Sequence, residues 1–421
     1  MALNGISGPD HLKHVLMVAY HFPPLAGSSG IQRTLRFVQH LPQFGWQPVV
    51  LTVHPRAYPE TRADLLDEIP EETTVHRSFA LDTARHLSLG RRYLASLARP
   101  DRWISWRLAG VRDGIELVRR FDVQALWSTY PIATAHVIGA ELQRHTGLPW
   151  IADFRDPMAQ PDYPPDPITW KHYQAIEQRA LRQARASMFT TPSAARTYAQ
   201  RYPDVAERIV VLENGYDEES FAPMGDERPP PLVPRAFTLL HSGIVYPSER
   251  DPSQLLQALR VLADGGEIEP EHFRVRFRAP VHEELLKRMA RDQGVQEFVE
   301  VMPPVGYRDA LQEMVRADAL LVMQAANCNE QVPAKVYEYL RAGRPIVCLS
   351  DPAGDTAAIL RHAGVQSCAC LDRVDEIVAL LRDLLNARCG SYLPAAPAVA
   401  SASRVQRAKV LAEHLDRSAA R

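Results

Sequence analysis

The feature that most restricts the fold is a rhythm of short apolar runs, each followed by a stretch long enough for a helix. A first series occupies residues 15–20, 48–53, 123–128, 150–153, 187–191 and 209–212. A second occupies 238–242, 275–278, 298–302, 319–323 and 346–349. Continuous apolar runs of this length suit strands buried on both faces, and strands separated by helices pair in parallel. The chain is therefore expected to be α/β, with doubly wound sheets. Between the two series lies a proline cluster, with Asp226, Glu227 and Arg228 preceding Pro229-Pro230-Pro231. Such a cluster neither joins a sheet interior nor continues a helix, so it reads as a linker. The expected division is a first domain over 1–222, a linker over 223–236, a second domain over 237–400, and a terminal stretch over 401–421. In that last stretch residues 404–415 are amphipathic, and they are expected either to pack back across the domains or to form a loosely held end.

A chain of 421 residues is a natural size for two domains. A formal net charge of −2 gives no global pull toward nucleic acid. Residues 1–13 are polar and lack the apolar core of a signal peptide. No apolar run approaches the roughly 20 residues of a membrane span. The expectation is a cytoplasmic chain. Five cysteines, an odd number, are expected to be free thiols. Cys368-Ala369-Cys370 reads as alternate residues of a buried strand, not as half of a metal site.

The stretch richest in chemistry is Glu330-Gln331-Val332-Pro333-Ala334-Lys335-Val336-Tyr337-Glu338. Proline suits the first turn of a helix, and Gly343 with Pro345 beyond it suits the helix end. This helix lies between two predicted strands, so its N-terminus is expected at the carboxyl edge of the sheet, where open α/β sheets bind ligands. A helix N-terminus attracts phosphate. At about 1.5 Å of rise per residue, Glu330 and Glu338 are on the order of 10 Å apart. That gap accommodates a diphosphate with hydroxyl-bearing groups at either end, the layout of a sugar nucleotide. The alternative is a pair of glutamates carrying solvated surface charge.

Other candidates follow strands of the first series. Gly27-Ser28-Ser29-Gly30 permits close backbone approach and opens a helix, but it lacks the full G-x-G-x-x-G pattern of a dinucleotide site. Arg33, one turn in, either reaches an anionic acceptor or is solvated. Asp153, Arg155 and Asp156 either face the ligand or form a structural ion pair. His136 is either catalytic or a core histidine. Residues 91–108 mix Arg92, Arg99, Arg102 and Arg107 with Trp103 and Trp106. They form either an interfacial surface or a helix with its tryptophans turned inward.

Several of these motifs, in this order, carry a family resemblance: Phe22-Pro23-Pro24 with Gly27 to Gly30, Ala152-Asp153-Phe154-Arg155-Asp156-Pro157, Asn214-Gly215-Tyr216-Asp217, Ser242-Gly243 leading to Arg250, and Val332 through Leu340. Together they resemble a GT-B glycosyltransferase of family 4 and its family 4-like bacterial polysaccharide members. The resemblance covers nearly the whole chain. It implies two Rossmann-like domains facing a central cleft. It also implies retaining transfer of a sugar from a nucleotide-sugar donor, UDP-linked by family habit, to a glycan or lipid-linked acceptor. No metal or other cofactor is implied, and peripheral contact with the inner face of the membrane is. Glu338 would hold the ribose hydroxyls and Glu330 the donor sugar. Arg250 and Lys335 would neutralise the diphosphate, with Ser242, Gly243, Val332 and Pro333 lining the donor. Lys335 has a second reading, an ion pair with Glu338 one turn on. Two departures stand out. Gln331-Val332-Pro333 occupies the place of the usual Gly-Phe-Gly, and Ile244 follows Gly243 where arginine is frequent. They keep alive two rivals, an epimerase or phosphorylase of the same architecture and a non-catalytic nucleotide-sugar-binding subunit.

Overall fold

The structure is a computed structural model that describes residues 12–27, 30–90, 92–161, 163–222, 229–386 and 389–420. Its contacts divide the chain into two units, residues 1–214 with 404–421, and residues 215–403.

The first unit holds a seven-stranded parallel sheet built from β1 (Lys13–Val18), β2 (Trp46–Val53), β3 (Thr74–Ser78), β4 (Val123–Thr129), β5 (Trp150–Arg155), β6 (Ala186–Phe189) and β7 (Ile209–Val211). Its order is β3-β2-β1-β4-β5-β6-β7. The apolar runs exist because both faces are covered. In β1, Leu16 and Val18 enter one core cluster while Val15 and Met17 enter another. Only β3 escapes the sequence reading. It is an edge strand, its segment Thr-Val-His-Arg-Ser is mostly half-buried, and so it lacks the apolar run.

The second unit holds a six-stranded parallel sheet: β8 (Phe237–Ser242), β9 (Phe273–Arg278), β10 (Val299–Met302), β11 (Ala319–Gln324), β12 (Ile346–Ser350) and β13 (Cys368–Ala369). The order is β10-β9-β8-β11-β12-β13. β11 repeats the logic of β1, with Leu320 and Val322 facing one cluster and Ala319, Leu321 and Met323 the other. Cys348 and Cys368 are register partners on β12 and β13, and four cysteines, these two with Cys328 and Cys370, are free thiols.

Each sheet reverses its strand order once, between β1 and β4 and between β8 and β11. The connections leaving neighbouring strands there diverge to opposite sides and open a crevice at the carboxyl edge.

The amphipathic terminal stretch forms the helix Arg404–Ala419. Ala408, Leu411, Ala412 and Leu415 lie one turn apart and join Val15, Met17, Leu35 and Trp46 in the core of the first unit. Asp416 accepts from Trp46 Nε1 at 3.2 Å and pairs with Lys13 at 2.7 Å. At the other boundary, the segment following Asn214 sides with the second unit. Tyr216 and Phe221 pack in one cluster with Leu320 and Val336, and Glu218 pairs with Arg341 at 2.5 Å. Residues 223–228 of the expected linker lie outside the described residues. Its later part is held to the second unit, where the Arg316 side chain donates to the Pro230 and Pro231 carbonyls at 3.2 and 3.3 Å. Among the described residues no helix is long and apolar enough to cross a membrane.

Candidate functional site

In the second unit the crevice is lined by the end of β8 and the helix Lys335–Ala342. Gly343 ends that helix in the left-handed conformation, with its N–H on the Leu340 carbonyl. Its start falls two residues after Pro333, later than the sequence predicts. The Pro333 carbonyl accepts from Val336 N–H at 3.0 Å, so proline leads into the first turn without being part of the helix. Val332 is buried in the core with Val336 and Leu340, and its side chain acts as an anchor for the loop.

β8 ends in His241-Ser242, and the chain then turns at Gly243 with φ 113°. A Cβ at Gly243 would lie 3.0 Å from Lys335 Nζ, so both the backbone and the available space require glycine here. Ser242 N–H donates to the Tyr339 hydroxyl at 2.9 Å. Lys335 Nζ lies 3.1 Å from His241 Nε2, and His241 Nδ1 lies 3.0 Å from the Leu321 carbonyl. A carbonyl only accepts, so Nδ1 carries the proton and Nε2 accepts from the lysine. Burial first, then the neighbouring charges of Lys335 and Arg250, push the His241 pKa well below its usual value. The imidazole stays neutral and serves as a seat for the ammonium.

Burial, reinforced by Arg250 and opposed by Glu338, lowers the Lys335 pKa to about 7. Arg250 donates to the Ile244 carbonyl at 2.9 Å and lies over the Tyr246 ring at 5.3 Å. Its Nε is closed to solvent and has no hydrogen-bond partner. Among the described residues neither Arg250 nor Lys335 makes an ion pair, so the expected alternative, a Lys335–Glu338 pair, gives way to the His241 contact. Glu338 is half-buried and accepts from the Tyr307 hydroxyl at 2.9 Å. Glu330 is exposed. Its loop is pinned by Gln324, which donates to the carbonyls of Cys328 and Gln331 at 2.7 and 2.9 Å, and by Asn329, which donates to Asp351 at 2.6 Å. Ser242, Gly243 and Lys335 therefore come together, with Arg250 acting on Lys335 and Glu338 one helical turn beyond it. A separate hollow of about 300 Å³, walled by Val245, His282, Leu286 and Met289, includes none of these charged groups.

In the first unit Asp153 is fully buried and accepts two bonds from Arg33, both 2.9 Å, and one from Thr129 at 3.1 Å. Arg33 also donates to the carbonyls of Leu212 and Glu213 and to Asn214 Oδ1. The solvated reading of Arg33 does not hold. The residue is 4% exposed and ties β5 to the chain leaving β7. His136 is a core residue, with no exposed surface, Nδ1 2.8 Å from Ser128 Oγ and its ring against Phe154. Burial lowers its pKa to about 4. Arg155 has a positive φ of 61°, and Asp156 accepts a long 3.5 Å bond from Thr190. A Cβ at Gly30 would clash with His21 Nδ1 and come within 2.6 Å of Arg155 Nη1. His21, neutral with a pKa lowered to about 3 by burial and by Arg155, is thus packed against the start of the helix Gly30–His40. Gly27 has φ 75°, and Ser28 and Ser29 lie outside the described residues. Sequence reasoning did not single out His21, His241, Tyr307 or Tyr339. The two histidines each sit at or just beyond a strand terminus bordering a switch point, a position that could have marked them.

Two parallel sheets with these strand orders, each carrying its polar cluster at the reversal, define the GT-B fold of glycosyltransferases. Residues 29–215, most of the first unit, match the family described as Glycosyl transferase 4-like domain. Its fold is similar to that of Anabaena HepE in complex with UDP-glucose (14% identity, covering 97% of this chain and 100% of that chain, TM-score 0.64). It is also similar to the lipopolysaccharide outer core galactosyltransferase WaaB (12% identity, 96% and 99% coverage, TM-score 0.59) and to the N-terminal domain of Candida albicans trehalose-6-phosphate phosphatase (11% identity, 98% coverage of each chain, TM-score 0.67). No curated protein matches the sequence.

Proposed function

We propose that this protein is a retaining glycosyltransferase that moves a hexose from a UDP-linked donor to a glycan or lipid-linked acceptor in cell-surface polysaccharide synthesis. The observation that carries the reading is a pair of cations that make no ion pair among the described residues, Lys335 and Arg250, at a glycine turn on a switch point. A diphosphate supplies the negative charge such a cluster lacks. In the reaction these groups stabilise the charge that develops on the departing diphosphate, a task that needs fixed donors in place before the bond breaks. Glu338, oriented by Tyr307, takes the ribose hydroxyls, and Glu330 on its pinned loop takes the donor sugar. In this scheme the lysine and arginine do the work a metal ion does elsewhere.

Peripheral contact with the inner face of the membrane belongs to the same proposal. Trp106 is buried, and Trp103 donates to the Ala57 carbonyl at 3.0 Å, so the tryptophans are not the contact. Leu89, Leu94 and Leu108 are 89%, 70% and 79% exposed among arginines of the same region, a combination that suits an anionic lipid surface.

The test is a thermal-shift screen against UDP, UDP-sugars and GDP-sugars, because a ligand that binds only the native state raises its stability. At least one UDP-sugar is expected to raise Tm. The Glu338→Ala variant is expected to bind it roughly 10- to 100-fold more weakly, the equivalent of about 1.4–2.8 kcal/mol. If no nucleotide or nucleotide sugar moves Tm, the reading is lost. Product analysis without acceptor separates the rivals, since an epimer or a sugar phosphate would mark the alternative chemistry.

A further inference from the structure

Two sulfur atoms of the second unit meet where its last two strands pair. β12 and β13 run parallel, and Cys348 and Cys368 are partners in their register. Neighbouring strands lie about 4.7–4.9 Å apart, inside the range of about 4.4–6.8 Å between Cα atoms that a disulfide bridges. Both side chains leave the sheet on the face of one core cluster, and their Sγ atoms are 3.6 Å apart. Ser350, two residues along β12, places its Oγ 3.1 Å from Cys348 Sγ and 3.8 Å from Cys368 Sγ. The two thiols are not equivalent. Cys348 has no exposed surface, whereas Cys368 is half-buried. Contact with the Cys348 thiol, helped by Ser350 and the charge of Arg361, outweighs burial and lowers the Cys368 pKa to about 7. Contact with Cys368, then burial, raise that of Cys348. A reachable sulfur that ionises readily, beside a buried one that does not, suits attack by the first and resolution by the second. β13 has two residues and lies at the sheet edge. Closing the gap to the ~2.05 Å of a bond therefore moves a short edge segment and leaves the sheet interior in place. Cys370 sits differently. Its N–H donates to Glu376 at 2.9 Å, and burial and that carboxylate raise its thiol pKa.

We propose that Cys348 and Cys368 form an oxidisable site, with hydrogen peroxide as its oxidant, that closes reversibly to a disulfide. The Cys368 thiolate attacks the peroxide. An S–O bond forms, the O–O bond breaks, and the departing hydroxide takes a proton from solvent. The Cys348 sulfur then attacks the resulting Cys368 sulfenic acid. The S–S bond forms, the S–O bond breaks, and hydroxide leaves as water with the Cys348 proton. Two thiols lose two electrons and two protons, and one peroxide is reduced to two molecules of water. The site needs neither nucleotide nor sugar, so it stands apart from the donor reading. In the test, the full reduced chain is treated with hydrogen peroxide under native conditions, alkylated, and mapped by tandem mass spectrometry, with a second sample reduced again by dithiothreitol. The expected result is a loss of two alkylatable thiols, a peptide linked through Cys348 and Cys368, and recovery of both thiols on reduction. In Cys348→Ser the resolving sulfur is gone, and Cys368 is expected to stop at a sulfenic acid that dimedone traps. In Cys370→Ser the linkage is expected to form as in the wild-type chain. A native wild-type chain that forms no such linkage overturns the proposal without any variant, and so does linkage that appears only in urea or that joins Cys348 to Cys370 or Cys389 instead. A sulfenic acid on Cys348 in Cys368→Ser, with none on Cys368 in Cys348→Ser, overturns it as well.

Discussion

Lys335 is held in a state that weakens the fold and serves binding. Its pKa is lowered from 10.5 to about 7, so the folded chain resists the charge that the unfolded chain accepts. Below pH 7 both states are protonated and the full penalty applies. As pH rises from 7 to 10.5 the unfolded chain keeps a proton that the folded chain has lost, and the penalty is relieved. Replacing Lys335 with Met removes the buried charge. The expected outcome is a Tm raised by about 2–4 °C, the shift that ~1 kcal/mol produces in a unit of this size, together with loss of UDP binding. Binding needs the ammonium, so UDP affinity in the wild-type chain is expected to fall as pH rises above about 7. The charges facing the amine are Arg250, which opposes protonation, and Glu338, which favours it; a bound diphosphate would tip the balance toward the charged form. Calorimetry at pH 8 in buffers of different ionisation enthalpy should register proton uptake on binding. Affinity that stays flat between pH 6 and 9 would remove Lys335 from the phosphate contact.

At the scale of elements, the turn at Gly243 joins β8 to its site. Alanine there meets two obstacles, a φ of 113° and an ammonium 3.0 Å from the new Cβ. A side chain in such a backbone region costs on the order of 1–3 kcal/mol, and the lysine must leave the His241 contact to make room. Gly243→Ala is therefore expected to lower stability in urea by that amount and to weaken UDP binding in the same variant. The sequence showed the strands because two-sided burial writes itself as an apolar run, as in β1 and β11. It did not show β3, whose half-buried edge position leaves no such run. For the site, Glu338 and Lys335 were legible through helix spacing. The partnership of Lys335 with His241 was not, because 94 residues separate them and only the pairing of β8 with β11 brings their segments together. Arg33 and Asp153 were likewise legible as charges near strand ends. That they would consume each other depended on a contact 120 residues long.

For the whole molecule, the important asymmetry is in how the two units are threaded. The second is one continuous segment, 215–403, whereas the first is closed by the last eighteen residues, 404–421. Leu411 and Leu415 are fully buried against β1 and its neighbours, so the first unit's core is incomplete without the helix Arg404–Ala419. Truncating a buried leucine to alanine costs about 2–5 kcal/mol, and removing the helix uncovers Trp46 and Leu35 as well. Ligand binding, by contrast, is proposed to engage the second unit through residues that all lie between 242 and 338. Two independent levers on stability follow. In a calorimetric scan, UDP at about 100 times its Kd is expected to stabilise the unit it binds by about 2.7 kcal/mol. Leu411→Ala is expected to lower the transition of the first unit and leave the UDP-dependent shift intact. If Leu411→Ala abolished the UDP shift while the second unit remained folded, the threading and the proposed donor site could not be as independent as the contacts make them.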